Sequence, residues 1–309
     1  MKNFFVFVYK VIRALILPNR RFIALGHRGF YNAMPDEEYL RRMYRCQMGR
    51  ELDLSNPVRF TEKLQWLKLY DRRPEYTLMA DKYEAKKIIA ERAGERYVIP
   101  TLGVWDTFSE IDFDTLPDKF VLKCNHDSGS VIVVQDKAKF RKRSAEKILS
   151  RGLRRNYYWP SREWGYKGIK PRIIAEQYLE TLEGRSLTEY KIFCFDGQPG
   201  LILVCKGKAH SGGRTNDFYD LDFNHIPVTG YYPNSQTRDT KPAQYDEMLE
   251  VARKLSTGIP QVRIDLYLAD GRIYVGEFTF SHEGGFTNFK PEIYDEKFGA
   301  MIHLPERRP

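Results

Sequence analysis

Gln261-Val-Arg-Ile-Asp-Leu-Tyr-Leu268 and Ile273-Tyr-Val-Gly-Glu-Phe-Thr-Phe280 are two strand-like runs joined by Ala269-Asp-Gly-Arg272. Asp-Gly between alternating apolar runs is a strong short-range hairpin signal. A three-residue loop, Asp270-Gly271-Arg272, pairs Asp265 with Glu277 and Arg263 with Thr279. Facing side chains have Cβ atoms about 5 Å apart, where like charges repel. A divalent cation is the simplest thing that makes such a pair favourable, and oxygen-only ligands suit Mg²⁺. A two-residue Asp270-Gly271 turn instead sets Glu277 against Ile264 and puts the carboxylates on opposite faces. The chemistry of the chain therefore depends on one residue of register.

Composition sets wider bounds. At 309 residues and 36.4 kDa the chain can bury a real core and divides into two or three lobes. A hydrophobic content of 42% and an aromatic content of 14% mark a folded protein. Fifty basic against 41 acidic side chains give +9, an excess that suits anionic partners: nucleotides, acidic polysaccharide, anionic lipid or nucleic acid. Nucleic acid falls away, because the chain has neither an RNP-type aromatic motif nor zinc-finger spacing. Cys46, Cys124, Cys194 and Cys205 show no CxxC pair. Cys124-Asn-His126 offers two metal ligands but no second pair follows, so reduced thiols in a cytosolic protein are expected.

The N-terminus carries an uncharged apolar run from Phe4 to Tyr9, far short of the roughly 20 residues that span a bilayer. It lacks the small-residue cleavage site of a secretory signal. Lys10 and Arg13 among Phe4, Phe5, Phe7, Val11, Ile12 and Leu15 fit either an interfacial helix or one docked on its own domain. The expected location is cytoplasmic, peripheral at the inner face of the membrane if residues 1–17 touch lipid.

Further along, residues 1–50 read as a helical, basic region, and a helix begins at Asn56-Pro57 with Phe60, Leu64, Leu67 and Tyr70 at core spacing. Another helix runs from Lys82 to Ala93, ended by Gly94, and Tyr97-Val-Ile-Pro100 reads as a strand. Strand-like Phe120-Val-Leu-Lys-Cys124 and Val131-Ile-Val-Val134 flank the loop Asn125-His-Asp-Ser-Gly-Ser130. A helix over Ser144–Arg155 and a mobile aromatic stretch from Tyr157 to Lys170 follow. Ile173 to Leu179, Tyr190 to Phe195 and Leu201 to Cys205 read as strands, and residues 240–256 as a helix. Hairpins interleaved with helices indicate α+β layering. The expected divisions are 1–50, 51–115, 116–175 and 176–309.

Several constellations can carry chemistry. Lys123 ends a strand beside the small-residue loop Ser128-Gly129-Ser130, where backbone N–H groups and an ammonium could meet phosphate oxygens; alone this is usually a solvated lysine. Glu176, with Tyr178 and Leu179 after it, and Glu183 could accept from an adenine amine and ribose hydroxyls, though a pair of surface glutamates looks the same. Lys191 lies in an otherwise apolar strand, and Arg263 shares a face with Asp265. Cations beside two carboxylates suit phosphoryl transfer, and equally a structural ion pair. No Walker A sequence or Ser-His-Asp elbow is present.

Taken together, Asp81-Lys82, Lys123, Ser128 to Ser130, Glu176 to Leu179, Glu183, Arg263, Asp265 and Glu277 occur in an order that resembles the ATP-grasp ligases. Phe60-Thr-Glu-Lys-Leu-Gln-Trp66, Asp81-Lys-Tyr83, Val121 to His126, Tyr190 to Gly197 and Gly276-Glu-Phe-Thr-Phe280 look like its TupA-like branch, associated with cell-surface polysaccharide and teichuronopeptide synthesis. The resemblance implies two α+β lobes gripping ATP. In it Lys82 and Lys123 contact phosphates, Ser128, Gly129 and Ser130 cover them, and Glu176, Tyr178 and Leu179 hold adenine while Glu183 holds ribose. Asp265 and Glu277 bind Mg²⁺, and Arg263 and Lys191 stabilise charge. Thr279 stands where many members have a metal-binding asparagine, and Ser281-His-Glu-Gly-Gly285 replaces Ser-Pro-Gly. The implied activity is a carboxylate–amine ligase acting through an acyl phosphate on an amino acid and a sugar or glycan, alongside polysaccharide-assembly enzymes. An ATP-dependent glycan kinase, a nucleotide-sugar glycosyltransferase using an Asp-x-Asp such as Asp220-Leu-Asp222, and an inert glycan-binding accessory protein are the alternatives.

Overall fold

Asp270 and Gly271 both take positive φ, 49° and 73°, the paired left-handed residues of a type I′ hairpin turn. The turn is thus the two-residue one, and Ala269 faces Arg272. On its own that register sets Glu277 against Ile264. A bulge at Gly276, between Val275 and Glu277, shifts the strand by one residue, so Glu277 faces Asp265 and Thr279 faces Arg263. The expected pairing holds, but the bulge and not the loop length produces it. Only glycine fits there without rearrangement, because a Cβ would lie 2.6 Å from a ring carbon of Tyr267.

The structure, a computed structural model, describes residues 17–180, 187–207 and 213–307. The hairpin strands β9 (Gln261–Ala269) and β10 (Arg272–Thr279) edge a six-stranded antiparallel sheet. Its order continues from β9 through β5 (Glu189–Phe195), β6 (Gln198–Lys206), β7 (Thr215–Tyr219) and β8 (His225–Ile226). Alternation along β5 splits the core into two layers. Ile192 and Cys194 join α8 (Tyr245–Ser256), α4 (Glu75–Ala80) and α5 (Ala85–Arg92) on one face. Phe193 and Phe195 join α3 (Phe60–Tyr70) and α9 (Ile293–Gly299) on the other.

A second, four-stranded antiparallel sheet has the order β1 (Thr101–Trp105), β4 (Ile173–Gln177), β2 (Phe120–Cys124), β3 (Val131–Val134). The helix α6 (Lys142–Leu153) covers it through Ala145 and Leu149. Ahead of both sheets, α1 (Pro18–Gly26) and α2 (Asp36–Met48) pack on Trp66 of α3 through Phe22, Tyr39, Met43 and Tyr44.

Several sequence expectations shift. Tyr97–Pro100 is not a strand: a 3₁₀ turn, Glu95–Tyr97, and a lone bridge from Val98 to Val275 replace it. Pro100 has no N–H to give a ladder, and the strand starts after it as β1, whose central Gly103 hid it from pattern reading. The helix expected from Asn56 begins at Phe60, because the Glu62 carboxylate accepts from Val58 N (3.1 Å) and Arg59 N (3.0 Å) and fixes the start there. The helix expected from Lys82 begins at Ala85, after Asp81 accepts from Tyr83 N at 2.8 Å.

The aromatic stretch after Tyr157 is a packed strap containing α7 (Tyr158–Ser161). Arg162, fully buried, pairs with Asp36 at 3.0 Å, donates to Tyr31 O at 2.8 Å and sits 4.3 Å over the Tyr39 ring. Asp36 also receives Arg72 at 2.6 Å and the Tyr158 hydroxyl. Among the described residues no helix is long and apolar enough to cross a membrane. The expectation for the helix of residues 1–17 falls almost wholly outside the described residues.

Candidate active site

Strand pairing assembles the first cluster. Lys191 on β5 faces Asp265 on β9, which faces Glu277 on β10. Arg263 sends Nε to Asp265 Oδ1 (2.6 Å) and Nη2 to Asp265 Oδ2 (2.7 Å), while Lys191 Nζ donates to Oδ2 and pairs with Glu189 at 3.1 Å. Burial pushes the Asp265 carboxyl up, but the Arg263 and Lys191 cations outweigh it and hold the group below the usual carboxylate range. Lys191 is raised for the reciprocal reason: burial opposes its charge, and the Asp265 carboxylate overcomes that.

His282 completes the cluster. Its Nδ1 lies 2.6 Å from Arg263 Nη1. Burial, then the Arg263 and Lys191 charges, push its pKa well below the ordinary histidine value. A neutral imidazole can therefore accept from Arg263 and hold the guanidinium against Asp265 and Thr279 Oγ1 (3.1 Å).

Lys82 joins the two sheets. Its backbone N–H donates to Asn125 O (3.0 Å), and its ammonium donates to Asp127 O (2.7 Å) and reaches Glu277 Oε2 at 3.3 Å. Behind it Asn125 Nδ2 donates to Asp81 Oδ2 at 2.8 Å, which explains why Asp81 precedes the lysine. The small-residue loop thus sits beside the carboxylate pair. Ser128 and Gly129 are exposed, and Gly129 has φ 102° with open space around its Cα. Ser130 is buried and its hydroxyl donates to Asp127.

A third cluster forms around Glu176. Glu176, expected to accept from an adenine amine, is buried with both oxygens engaged: Lys86 at 2.8 Å and Lys123 at 2.6 Å. Burial pushes its pKa up, yet Lys123 and Lys86 prevail and keep it ionised below the usual range. It positions two ammoniums. Lys86 is a residue that sequence reading passed over, although it lies four positions after Lys82 and its ammonium also donates to Ile99 O and Thr101 Oγ1. Tyr178 accepts from Gln135 at 2.7 Å, and Leu179 packs with Ile99 and Ala269. Glu183 lies outside the described residues.

Lys68 and Glu163, both missed from sequence, face the same region from α3 and the strap. The ammonium of Lys68 donates to Gln65 Oε1 and Ser161 O, each at 2.9 Å. Burial lowers its pKa to about 8 against the pull of Glu163, while burial raises Glu163. The Cys124–His126 pair makes no metal site. The thiol, pushed up to about 12 by burial, donates to Leu149 O, and His126 Nε2 lies 2.9 Å from Arg155 O. Asp220 of the Asp-x-Asp accepts from the backbone of Asp222 and Asn224, closing its own turn.

A cleft of about 760 Å³ opens over these groups, with Ser128, Arg263, Glu277, Thr279 and Ser281 in its lining. A lysine-flanked small-residue loop above paired strand carboxylates and an arginine is the arrangement the sequence motifs describe, and residues 62–303 match the model of the TupA-like ATP-grasp family. The chain belongs to that family. The α+β, ATP-grasp expectation stands, and the family is one of ATP- and Mg²⁺-dependent enzymes. No curated protein matches significantly. Among solved structures, similarity extends to D-alanine–D-alanine ligase from Bacillus anthracis complexed with ATP (18% identity, TM-score 0.38, covering 66% of this chain and 55% of that one). It extends also to the ATP-grasp ligase PsnB complexed with a minimal precursor (12%, 0.39, covering 73% and 60%) and to D-alanine–D-alanine ligase from Helicobacter pylori (15%, 0.40, covering 82% and 68%). The chain spans less than two thirds of the first two.

Donor chemistry gives a direct test of Mg²⁺ at this ATP-grasp site. Asp265 and Glu277 set hard oxygens side by side; Glu277 is partly exposed, and the Asp265 oxygens are shared with Arg263 and Lys191. Among the described residues no third carboxylate, histidine or cysteine joins them. Two carboxylates suit an ion whose remaining ligands are phosphate oxygens and water. The site fits Mg²⁺ arriving with a nucleotide.

Proposed function

We propose that this ATP-grasp protein is an ATP- and Mg²⁺-dependent carboxylate–amine ligase joining an amino acid and a sugar for cell-surface polysaccharide. The observation that carries the reading is the Asp265–Glu277 pair, held between Arg263, Lys191 and Lys82, with Glu277 and Arg263 opening into the cleft and Asp265 buried behind them. In the first half-reaction a substrate carboxylate oxygen bonds to the γ-phosphorus of ATP and ADP leaves. In the second the amine nitrogen bonds to the acyl carbon, phosphate leaves with the C–O electrons, and the nitrogen sheds its proton.

Asp265 and Glu277 would hold Mg²⁺, which when bound neutralises phosphate oxygens and screens them from the attacking carboxylate. Lys82, Lys86 and Lys123 offset phosphate charge, and Glu176 fixes the last two. Exposed backbone at Ser128 and Gly129 covers the phosphate end. Arg263, pinned by Asp265 and neutral His282, presents a guanidinium to the charge that develops on transfer. Tyr178 and Leu179 offer the hinge for adenine. Glu163, whose basicity burial raises, faces the cleft where the amine loses its proton.

The test is titration of ATP with and without Mg²⁺ into wild type and an Asp265→Asn/Glu277→Gln double variant, followed by hydroxylamine trapping. Mg²⁺-dependent binding lost in the variant, with hydroxamate formed from ATP and a carboxylate, is the expected result. ADP release without hydroxamate would indicate a kinase, and a folded wild type that ignores ATP would refute both.

A further inference from the structure

The cleft continues past Glu277 to a wall of which one side, before residue 62, lies outside the family match. His27, Arg28, Gly29 and Asn32, between α1 and α2, line it on one side, and Arg154, Arg155 and Asn156, after α6, on the other. These residues precede or lie apart from the phosphate-contacting motifs. The strap holds the two sides together: the Tyr39 hydroxyl donates to Pro160 O at 3.0 Å, and Arg162 binds Asp36 and Tyr31 O. Tyr157, Trp159 and Phe286 contribute half-buried aromatic faces to the lining.

Charge is the informative feature. Arg28, Arg154 and Arg155 are exposed, and among the described residues none has a carboxylate within ion-pair distance. The acids of the lining do not balance them. Glu277 is engaged by Lys82, Glu163 accepts from Ser161 at 2.7 Å beside Lys68, and Glu283 alone is left to oppose three guanidiniums. The sequence before Leu17 contains no Asp or Glu. Unpaired guanidiniums on both walls of a concave site call for several anionic groups, and arginine forks match carboxylates bidentately. Aromatic faces between them suit flat apolar ring surfaces. A volume of about 760 Å³ exceeds what one small carboxylic acid fills.

We propose that this wall is the acceptor subsite and takes an acidic oligosaccharide, one carboxylate reaching the Arg263 end of the cleft while neighbouring carboxylates pair with Arg154, Arg155 and Arg28. The assignment rests on the ligase reading and refines it: the saccharide supplies the acyl group, and the amino acid supplies the amine. An amino sugar would instead bring its ammonium towards three unpaired guanidiniums, at a Coulomb cost.

The experiment is titration of a short oligogalacturonate, and of its methyl ester, into the full chain without nucleotide. The acid form should bind and the ester should not. Arg154→Gln/Arg155→Gln and Arg28→Gln should each weaken binding by about tenfold or more, while Mg²⁺–ATP affinity and circular dichroism stay at wild-type levels and exclude misfolding. Equal binding of the ester, undiminished binding by the arginine variants, no binding at all, or equally ready displacement by poly(U) RNA would each overturn the proposal. Failure of wild type to bind Mg²⁺–ATP would remove the ligase reading separately, whatever the saccharide does.

Discussion

Asp265 shows how a buried charge becomes part of a site rather than a cost. Three groups, Arg263, Lys191 and the facing Glu277, surround it, and removing its charge leaves two cations buried without their partner. Asp265→Asn should therefore lose Mg²⁺–ATP binding and also about 3–5 kcal/mol of stability, read by urea denaturation. Glu277→Gln, at a partly exposed position, should lose the binding at much smaller structural cost. His282 gives a pH signature. Its folded pKa lies below the unfolded value near 6.5, so the unfolded chain binds the extra proton first. Stability from this group is full above about pH 7 and falls as pH drops towards the folded pKa. His282→Asn should flatten the stability profile over about pH 7 to 5 relative to wild type, and a parallel profile would contradict a buried neutral imidazole. Legibility at this scale was uneven. Asp265, Glu277, Arg263 and Lys82 could be found because strand period and a hairpin bring them together. Lys68 and Glu163 could not, since each looks like an ordinary surface charge until α3 and the strap close over it.

At the scale of elements, the β9–β10 hairpin carries the main lesson. The Asp-Gly signal correctly announces a turn, yet the turn formed is the one that would separate the carboxylates. Gly276 restores them through its bulge. Gly276→Val would place a branched side chain where even a Cβ meets Tyr267 at 2.6 Å. It should cost roughly 1–3 kcal/mol and weaken Mg²⁺–ATP binding by about tenfold or more, measured by calorimetry on the folded variant. Unchanged nucleotide binding would show that the register tolerates the strain. The strap makes a similar point. Its aromatic composition resembles a loose loop, and a single buried arginine with a carboxylate on α2 turns it into a packed wall. Arg162→Met leaves Asp36 with Arg72 and Tyr158 but removes the ties to Tyr31 O and Trp159 O. Thermal unfolding should shift down by several degrees, and an unshifted midpoint would deny the strap its anchoring role.

Over the whole molecule, two sheets meet at Lys82, and the site belongs to neither alone. Because protein cations already neutralise Asp265, free Mg²⁺ should give no measurable heat with the apo protein, and binding should appear only when ATP supplies phosphate ligands. Tight binding of Mg²⁺ alone would contradict the donor count. By itself the sequence determined the α+β class and the family and brought Arg263, Asp265 and Glu277 to one hairpin, because strand period, turn chemistry and motif order are local properties of the chain. Only the tertiary structure decided that a bulge sets the carboxylate register and that Glu176 pairs with two lysines. It likewise decided that the connection between α1 and α2 walls the cleft. Those outcomes depend on contacts between segments far apart in the chain, such as Asp36 with Arg162 or Lys86 with Glu176. Burial decides whether such charges are solvated or paired, and burial is a property of the assembled fold.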